Sequence, residues 1–436
     1  MKDKSLASAY YAVGVLTVAY VLSFIDRTIL ALLVAPIRAD LGISDTQLSL
    51  LHGLAFAIFY TTLGIPIALL ADRLNRRNIM ALGIAVWSLA TAVCGLARSF
   101  GQLFLARVAV GVGEAALSPA AYSMIADLFP RERLGRALGL YNVGAFAGAG
   151  LAFLIGGAVI AAVAQAGAVE LPLIGEVRSW QLVFFIVGLP GLIVAVWVMT
   201  LTEPVRLATS AAAADDGMLR RLADCAGHMR SHWRAYTTHL VGFTLIGLVF
   251  NATLAWMPTH LIRNHSLGTA DAAFWIGLAL LVMGSSGVLA GGLLTDRLDS
   301  RGAGDGAMKV GLLSACLTLP LVAACTLLPS GAATLWLYAG LVFATTLPFG
   351  AAAAAIQIIT PAGMRATASA IYLFLLNLVG LGAGPTLVAM GTDFLFGDDL
   401  AVGKSMALVG ILAALPAIGL FFWGLPHYRN LAAASR

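Results

Sequence analysis

Charge is what this sequence has least of. Only 11% of its 436 residues are Asp, Glu, Lys or Arg, while 60% are hydrophobic. A soluble globular chain is about 25% charged. With a mean hydropathy of +0.92, the soluble classes are excluded and a polytopic membrane protein remains. Cysteine is also scarce. The four, Cys94, Cys225, Cys316 and Cys325, show no metal spacing and at least three lie in apolar runs, so no disulfide framework is expected. The chain has no His-Glu-x-x-His, phosphate-binding loop or metal cluster. No catalytic residue, metal or cofactor is therefore expected. An integral membrane enzyme stands as the alternative of a different class, which catalytic turnover without transport would support. A cleavable signal peptide is not expected either. The first apolar run is too long and lacks a small-residue cleavage site before its charged pair.

What is present is a series of apolar runs of about 18 to 27 residues, the length that crosses a bilayer. They lie near 9–36, 47–71, 78–97, 101–126, 137–163 and 181–202, then 236–258, 272–295, 308–328, 333–358, 366–391 and 403–425. The fold expected is an all-α membrane protein of twelve transmembrane helices. With the N-terminus inside, about 19 of the 26 Lys and Arg fall in inner loops, about five in outer loops and two within spans. That is the positive-inside bias. It accounts for the net charge of +5 without a nucleic-acid partner. Both termini are expected in the cytoplasm, with the chain a multi-pass monomer among the lipids of a plasma or inner membrane.

The halves repeat. Asp72-Arg-Leu-Asn-Arg-Arg77 follows the second span and Asp296-Arg-Leu-Asp-Ser-Arg301 the eighth. A Pro-then-Arg loop, Pro130 to Arg136, follows the fourth span, and Pro361 to Arg365 the tenth. Two echoes at one offset indicate duplication into two pseudo-symmetric six-helix bundles. The expected divisions are 1–202, a linker over 203–235, and 236–436. Within the linker, Ala208 to Asp216 reads as flexible. Met218, Leu219, Leu222, Met229 and Trp233 then alternate with Arg220, Arg221, Asp224, Arg230 and Arg234. This pattern predicts a basic amphipathic helix on the cytoplasmic lipid surface. Pro172 and Gly175 predict a short hairpin in the loop 169–181.

The fourth span holds Arg107 and Glu114, seven positions apart and so on one helical face. Facing lipid, each would cost at least about 2.5 kcal/mol. Both are expected to face a polar interior. The first span carries Asp26 and Arg27 past its middle. Two acids and two bases sum to zero, which lowers the cost of burying them. Protonating one acid leaves net positive charge, so the cluster can exchange a proton for a charged ligand. Arg107 is expected across the bundle from Asp26, leaving Glu114 the acid less easily paired and the first choice for the proton site. Tyr60, Asn142, Asn251, Trp256, Gln357 and Asn377 are further polar groups at membrane depth. Gly111, Gly144, Gly148, Gly150, Gly380, Gly382 and Gly384 read as sites of close helix approach.

The loop with Asp72, Arg73, Arg76 and Arg77 resembles the signature of the major facilitator superfamily between the second and third helices, with Ala68 and Asn75 where glycines are usual. The second copy keeps Gly292, Asp296, Arg297 and Arg301. The resemblance implies a latch that closes the cytoplasmic side. Asp72 would sit at the start of the eleventh helix, where the dipole favours an anion, and Arg73 or Arg76 would pair with Asp127. Two further stretches, Phe24-Ile-Asp-Arg-Thr-Ile-Leu30 and Gly111-Val-Gly-Glu-Ala-Ala-Leu-Ser-Pro119 followed by Ile125-Ala-Asp-Leu-Phe-Pro-Arg131, resemble the Spinster family of lysolipid and sphingolipid transporters. That resemblance implies proton-linked transport of amphipathic lipids. Carried over to this sequence, Asp26 and Glu114 would be the proton-linked acids, with Arg27 and Arg107 their basic partners. Apart from the resemblance, Arg27, Arg107, Glu114 and Tyr60 are the residues expected to contact substrate. Anion–cation symporters of the same superfamily share a similar first and fourth helix, so small organic anions are the alternative cargo. The second half has Phe243, Leu245, Phe250, Leu280 and Leu281 but almost no buried charge, and is expected to take a lipid tail.

Overall fold

The computed structural model describes residues 2–129, 131–164, 169–171, 175–204, 218–300, 304–361 and 364–434. Pro130, the stretch 208–216 and Arg301 lie outside the described residues, as do the side chains of Asp72, Arg73, residues 131–136 and residues 218–222. Among the described residues, twelve helices are long and apolar enough to cross a membrane. They are Leu6–Leu32, Asp45–Gly64, Arg76–Cys94, Phe100–Leu128, Leu140–Val163 and Ser179–Val198, then Trp233–His265, Thr269–Asp299, Gly306–Leu327, Gly331–Ile358, Thr367–Phe396 and Asp399–Ala434.

Several spans begin at caps written in the sequence. Ser44 accepts from the Gln47 amide while the Gln47 side chain accepts from the Ser44 amide, a reciprocal box. The Asn75, Ser99 and Ser330 side chains accept from Asn78, Gln102 and Ala333. The first span ends earlier than expected. Its helix gives way to a 3-10 turn at Ile29–Leu32, and a separate helix runs Val34–Leu41. Pro36 forces the break. It has no N–H to give and is tolerated only in the first turn of the new helix. That helix stops at Gly42, whose φ of 63° closes a left-handed cap that residues with a Cβ rarely adopt. The expected hairpin forms, with strands β1 (Val169–Leu171) and β2 (Gly175–Val177) paired antiparallel.

By contacts the chain groups into two compact units, Met1–Leu207 with Met257–Leu281, and Ala208–Trp256 with Val282–Arg436. The grouping differs from the division read in the sequence by placing 257–281 with the first unit. Glycine backbone is the reason. A Cβ on Gly150 would come within 2.8 Å of the Gly277 carbonyl, and one on Gly157 within 2.6 Å of the Ala273 Cβ. Only hydrogen at these positions lets the fifth span touch the eighth. Asp45 adds a polar tie. It is fully buried and accepts from both terminal nitrogens of Arg263, at 2.6 and 2.9 Å, and lies 3.0 Å from Arg38.

In the second unit lies the linker helix Met218–Ser231; of the apolar face read in the sequence, Met218, Leu219 and Leu222 have side chains outside the described residues and Trp233 is exposed. Cys225 is fully buried in a core cluster with Tyr236, Ala368 and Tyr372, and Met229 packs against it. This part of the apolar face is buried by protein, which removes it from water as lipid would.

Asp305, just before the ninth span, is fully buried between Lys309 at 2.8 Å and Arg429 at 2.6 Å. Burial pushes its carboxyl up, but Lys309 and Arg429 outweigh that and hold it below the usual carboxylate range. A depressed carboxyl contributes stability above its unfolded value of about 3.9, and that contribution is lost as pH falls through the lower folded value. Asp305→Asn is therefore expected to destabilise the protein by about 1–2 kcal/mol near neutral pH, since both cations stay partly solvated. The gap between wild type and variant should begin to close as pH falls below about 4 and close fully only below the lower folded value. Unfolding transitions in detergent across pH measure this; a constant gap down to low pH would remove the ionic explanation.

Candidate substrate and proton site

The first span sets the site. Ser23 and Arg27 are one turn apart and share a face, while Asp26 is rotated by about 100° from Arg27. The two charged neighbours therefore cannot both meet the same partner. Arg27 faces the fourth span and donates from Nε to Glu114 Oε2 at 2.5 Å; Ser23 Oγ donates to the same oxygen at 2.7 Å. Glu114 is fully buried and its Oε1 has no hydrogen-bond partner. The Arg27 guanidinium lies over Phe56 at 4.7 Å, Tyr60 at 4.8 Å and Phe24 at 5.1 Å. Ring faces attract a cation and hold the planar group still. Only Nε is used in an ion pair, and 15% of the side chain is exposed. Among the described residues, the two terminal nitrogens make no hydrogen bond and can donate to a ligand.

Arg107 and Asp26 occupy the other side. Arg107 is fully buried, donating from Nη1 to the Asp26 main-chain carbonyl at 3.1 Å and from Nε to the Leu51 carbonyl at 3.4 Å. Leu51 lies in the π-helical turn Leu50–Leu54 of the second span. Such widened turns are frequent at functional sites. Arg107 Nη2 and Asp26 Oδ1 are each buried without a hydrogen-bond partner. Arg107 thus meets Asp26 through its main-chain carbonyl, not its carboxylate, and Glu114, expected to be the less easily paired acid, meets Arg27. Glu114 has the arginine, and Asp26 makes no ion pair among the described residues.

Close helix packing brings these groups together. A Cβ on Gly113 would come within 2.6 Å of the Trp87 amide, and one on Gly111 within 2.9 Å of the Phe56 carbonyl. These two glycines let the fourth span seat against the third and second, as their spacing predicts. Tyr60, read in the sequence as a polar group at membrane depth, lies under the Arg27 guanidinium. Asn142 instead accepts from the Tyr122 hydroxyl at 2.6 Å. Asn251 donates to Gly247 within its own helix, and Trp256 donates to the Pro385 carbonyl. Gln357 is exposed and Asn377 half-buried. Sequence reasoning missed Ser23, though its place four residues before Arg27 on a membrane helix was a readable signal.

The expected gating residues divide. Arg76 donates to Asp127 at 2.6 Å, as anticipated, and also to Glu203 at 2.7 Å and Ser123 at 2.9 Å. The Arg77 amide donates to the other Glu203 oxygen at 3.0 Å. Glu203 was not anticipated because it lies at the far end of the first six spans. Asp72, Arg73 and Arg301 side chains are outside the described residues. Asp296 and Arg297 are exposed; the buried charge hub of that half is Asp305 with Lys309 and Arg429. The hubs reverse polarity. Arg76 opens the third span and meets Glu203 after the sixth, while Asp305 precedes the ninth and meets Arg429 late in the twelfth.

Comparison with known proteins agrees with this architecture. The chain is 29% identical to an MFS-type efflux pump of Mycolicibacterium smegmatis, over 97% of this chain and 93% of that one. It is 25% identical to a hexuronate transporter of Bacillus subtilis, over 93% and 94% of the two chains. In structure it is similar to a bacterial homologue of the human lysosomal transporter Spinster, crystallised inward-facing and unoccupied, with a TM-score of 0.77, 26% identity and coverage of 98% and 97%. The Major Facilitator Superfamily profile matches residues 16–385. With that match, the repeated helices and the buried charges of its first and fourth spans, this chain is an integral membrane transporter that belongs to the Major Facilitator Superfamily and has Spinster proteins among its relatives.

Proposed function

We propose that the protein is a proton-coupled secondary transporter of amphipathic anions, a lysophospholipid or a sphingosine-phosphate-like lipid, working by alternating access. The observation that carries this is Arg27, fixed by ring faces and by one bond to Glu114, with its terminal nitrogens unspent. A phosphate or carboxylate fits those nitrogens as a two-point acceptor. Charge balance then supplies the coupling. An anion on Arg27 leaves buried Glu114 uncompensated, and an uncompensated buried charge is costly. Glu114 restores neutrality by taking a proton. Anion and proton therefore travel together, and the gradient sets the direction.

In this reading both termini are cytoplasmic, in a plasma or inner membrane, and the monomer is the working unit. The halves 1–202 and 236–436 rock about the site, joined by 203–235. Arg76, Arg77 and Asp127 act with Asp72 and Arg73 as the latch on the cytoplasmic side. Asp296, Arg297 and Arg301 are its counterpart in the second half.

A second reading, transport of small organic anions, is favoured by the hexuronate transporter similar over 93% of the chain. Proteoliposomes with an imposed pH gradient separate the two. Labelled lysophospholipid should accumulate with the proton gradient, and hexuronate should neither accumulate nor compete. Hexuronate accumulation with no effect of lysolipid would overturn the lipid reading and install the second.

A further inference from the structure

The rings beside Arg27 do not stop at the ion pair. Phe24 meets Tyr20 edge-on at 5.2 Å, and Tyr20 stacks flat on Tyr141 of the fifth span at 4.7 Å and 8°. Tyr122 of the fourth span meets Tyr141 edge-on at 5.4 Å. Phe24, Tyr20, Tyr141 and Tyr122 thus form a continuous ladder leading from the guanidinium toward the end of the first span that bears the chain terminus. Its far rung is open, since Tyr122 is 38% exposed. Exposed Asn142 accepts the Tyr122 hydroxyl through Oδ1, which leaves its amide hydrogens unspent.

We propose that this ladder is a recognition surface continuous with Arg27 and that it admits a second substrate class, aromatic organic anions. The acid group lies on the Arg27 terminal nitrogens, the ring lies against Tyr20 and Tyr122, and a polar ring substituent meets the Asn142 amide. This rests on the reading of Arg27 as the anion site. It goes beyond that reading because an acyl chain gains from any apolar surface, whereas edge and face geometry adds affinity only for another π system.

The test uses the purified full chain in nanodiscs, with 1-naphthylacetate as the ring probe and octanoate as an aliphatic acid of similar hydrophobicity. Binding is read by thermal stabilisation and by competition with labelled lysophospholipid. Wild type should prefer naphthylacetate. Tyr122→Leu, which keeps apolar bulk, should weaken naphthylacetate by about threefold to tenfold and leave octanoate within about twofold. Tyr122→Phe keeps the ring and should retain the preference. Equal loss of both probes in Tyr122→Leu, or no preference in wild type, overturns the aromatic proposal while lysolipid binding still tests the parent reading. Arg27→Gln should weaken both probes and the lysolipid. If it weakens none, the anion site itself is wrong, an outcome distinct from failure of the ladder.

Discussion

Glu114→Gln is expected to abolish accumulation driven by a pH gradient, by at least about tenfold, while substrate exchange across the membrane persists. The variant fixes the neutral form of the side chain, so the bond that ties Arg27 Nε to Glu114 at 2.5 Å loses its ionic part and no proton need accompany the anion. The same reasoning gives an equilibrium signature. On the proposed coupling, each anion bound to Arg27 in wild type should take up one proton, so binding should weaken as pH rises, by up to about tenfold per pH unit. In Glu114→Gln the slope should vanish. Isothermal titration in buffers of different ionisation enthalpy counts the protons directly. Unchanged proton uptake in the variant would make Glu114 structural and move the coupling to Asp26, whose Oδ1 is buried without a hydrogen-bond partner. Arg27→Ala should cost about 3–5 kcal/mol, since it leaves a fully buried carboxylate uncompensated.

The second large effect is expected at Asp45, at the start of the second span. Asp45 is fully buried and binds Arg38 and both terminal nitrogens of Arg263. Arg263 belongs to the segment 257–281, which packs on the first six spans through Gly150 and Gly157. Under the proposed rocking of the two halves, that segment would have to leave. Asp45 then acts as a latch, and Asp45→Asn leaves two arginines without their acid. Breaking a buried pair costs about 3–5 kcal/mol, which is a population shift of roughly 10²- to 10⁴-fold. Spin labels placed on the exposed ends of the fifth and eighth spans should report longer distances in Asp45→Asn. Distances equal to wild type, in a protein that unfolds at a lower temperature, would leave Asp45 a stabilising residue and no latch.

The sequence by itself determined the class, the number of spans and the residues that could not face lipid. Composition and run length suffice for the first two, because a bilayer tolerates only helices that satisfy their own backbone. The four charges at Asp26, Arg27, Arg107 and Glu114 were legible for the same reason: each is affordable at membrane depth only in a polar interior. Gly111 and Gly150 were legible as points of close approach. The partners were not. Asp26 and Arg27 are adjacent in sequence, but the helix turns them about 100° apart, and only the packing of the first span against the fourth decides which one meets Glu114. The Glu203 contact to Arg76 and the Arg429 contact to Asp305 span 127 and 124 residues, and no local pattern announces them. The linker helix shows the same limit. Its amphipathic face was readable, but an apolar stripe is satisfied equally by lipid or by protein. The burial of Cys225 against Tyr236 was decided by a surface that exists only once the second unit has folded.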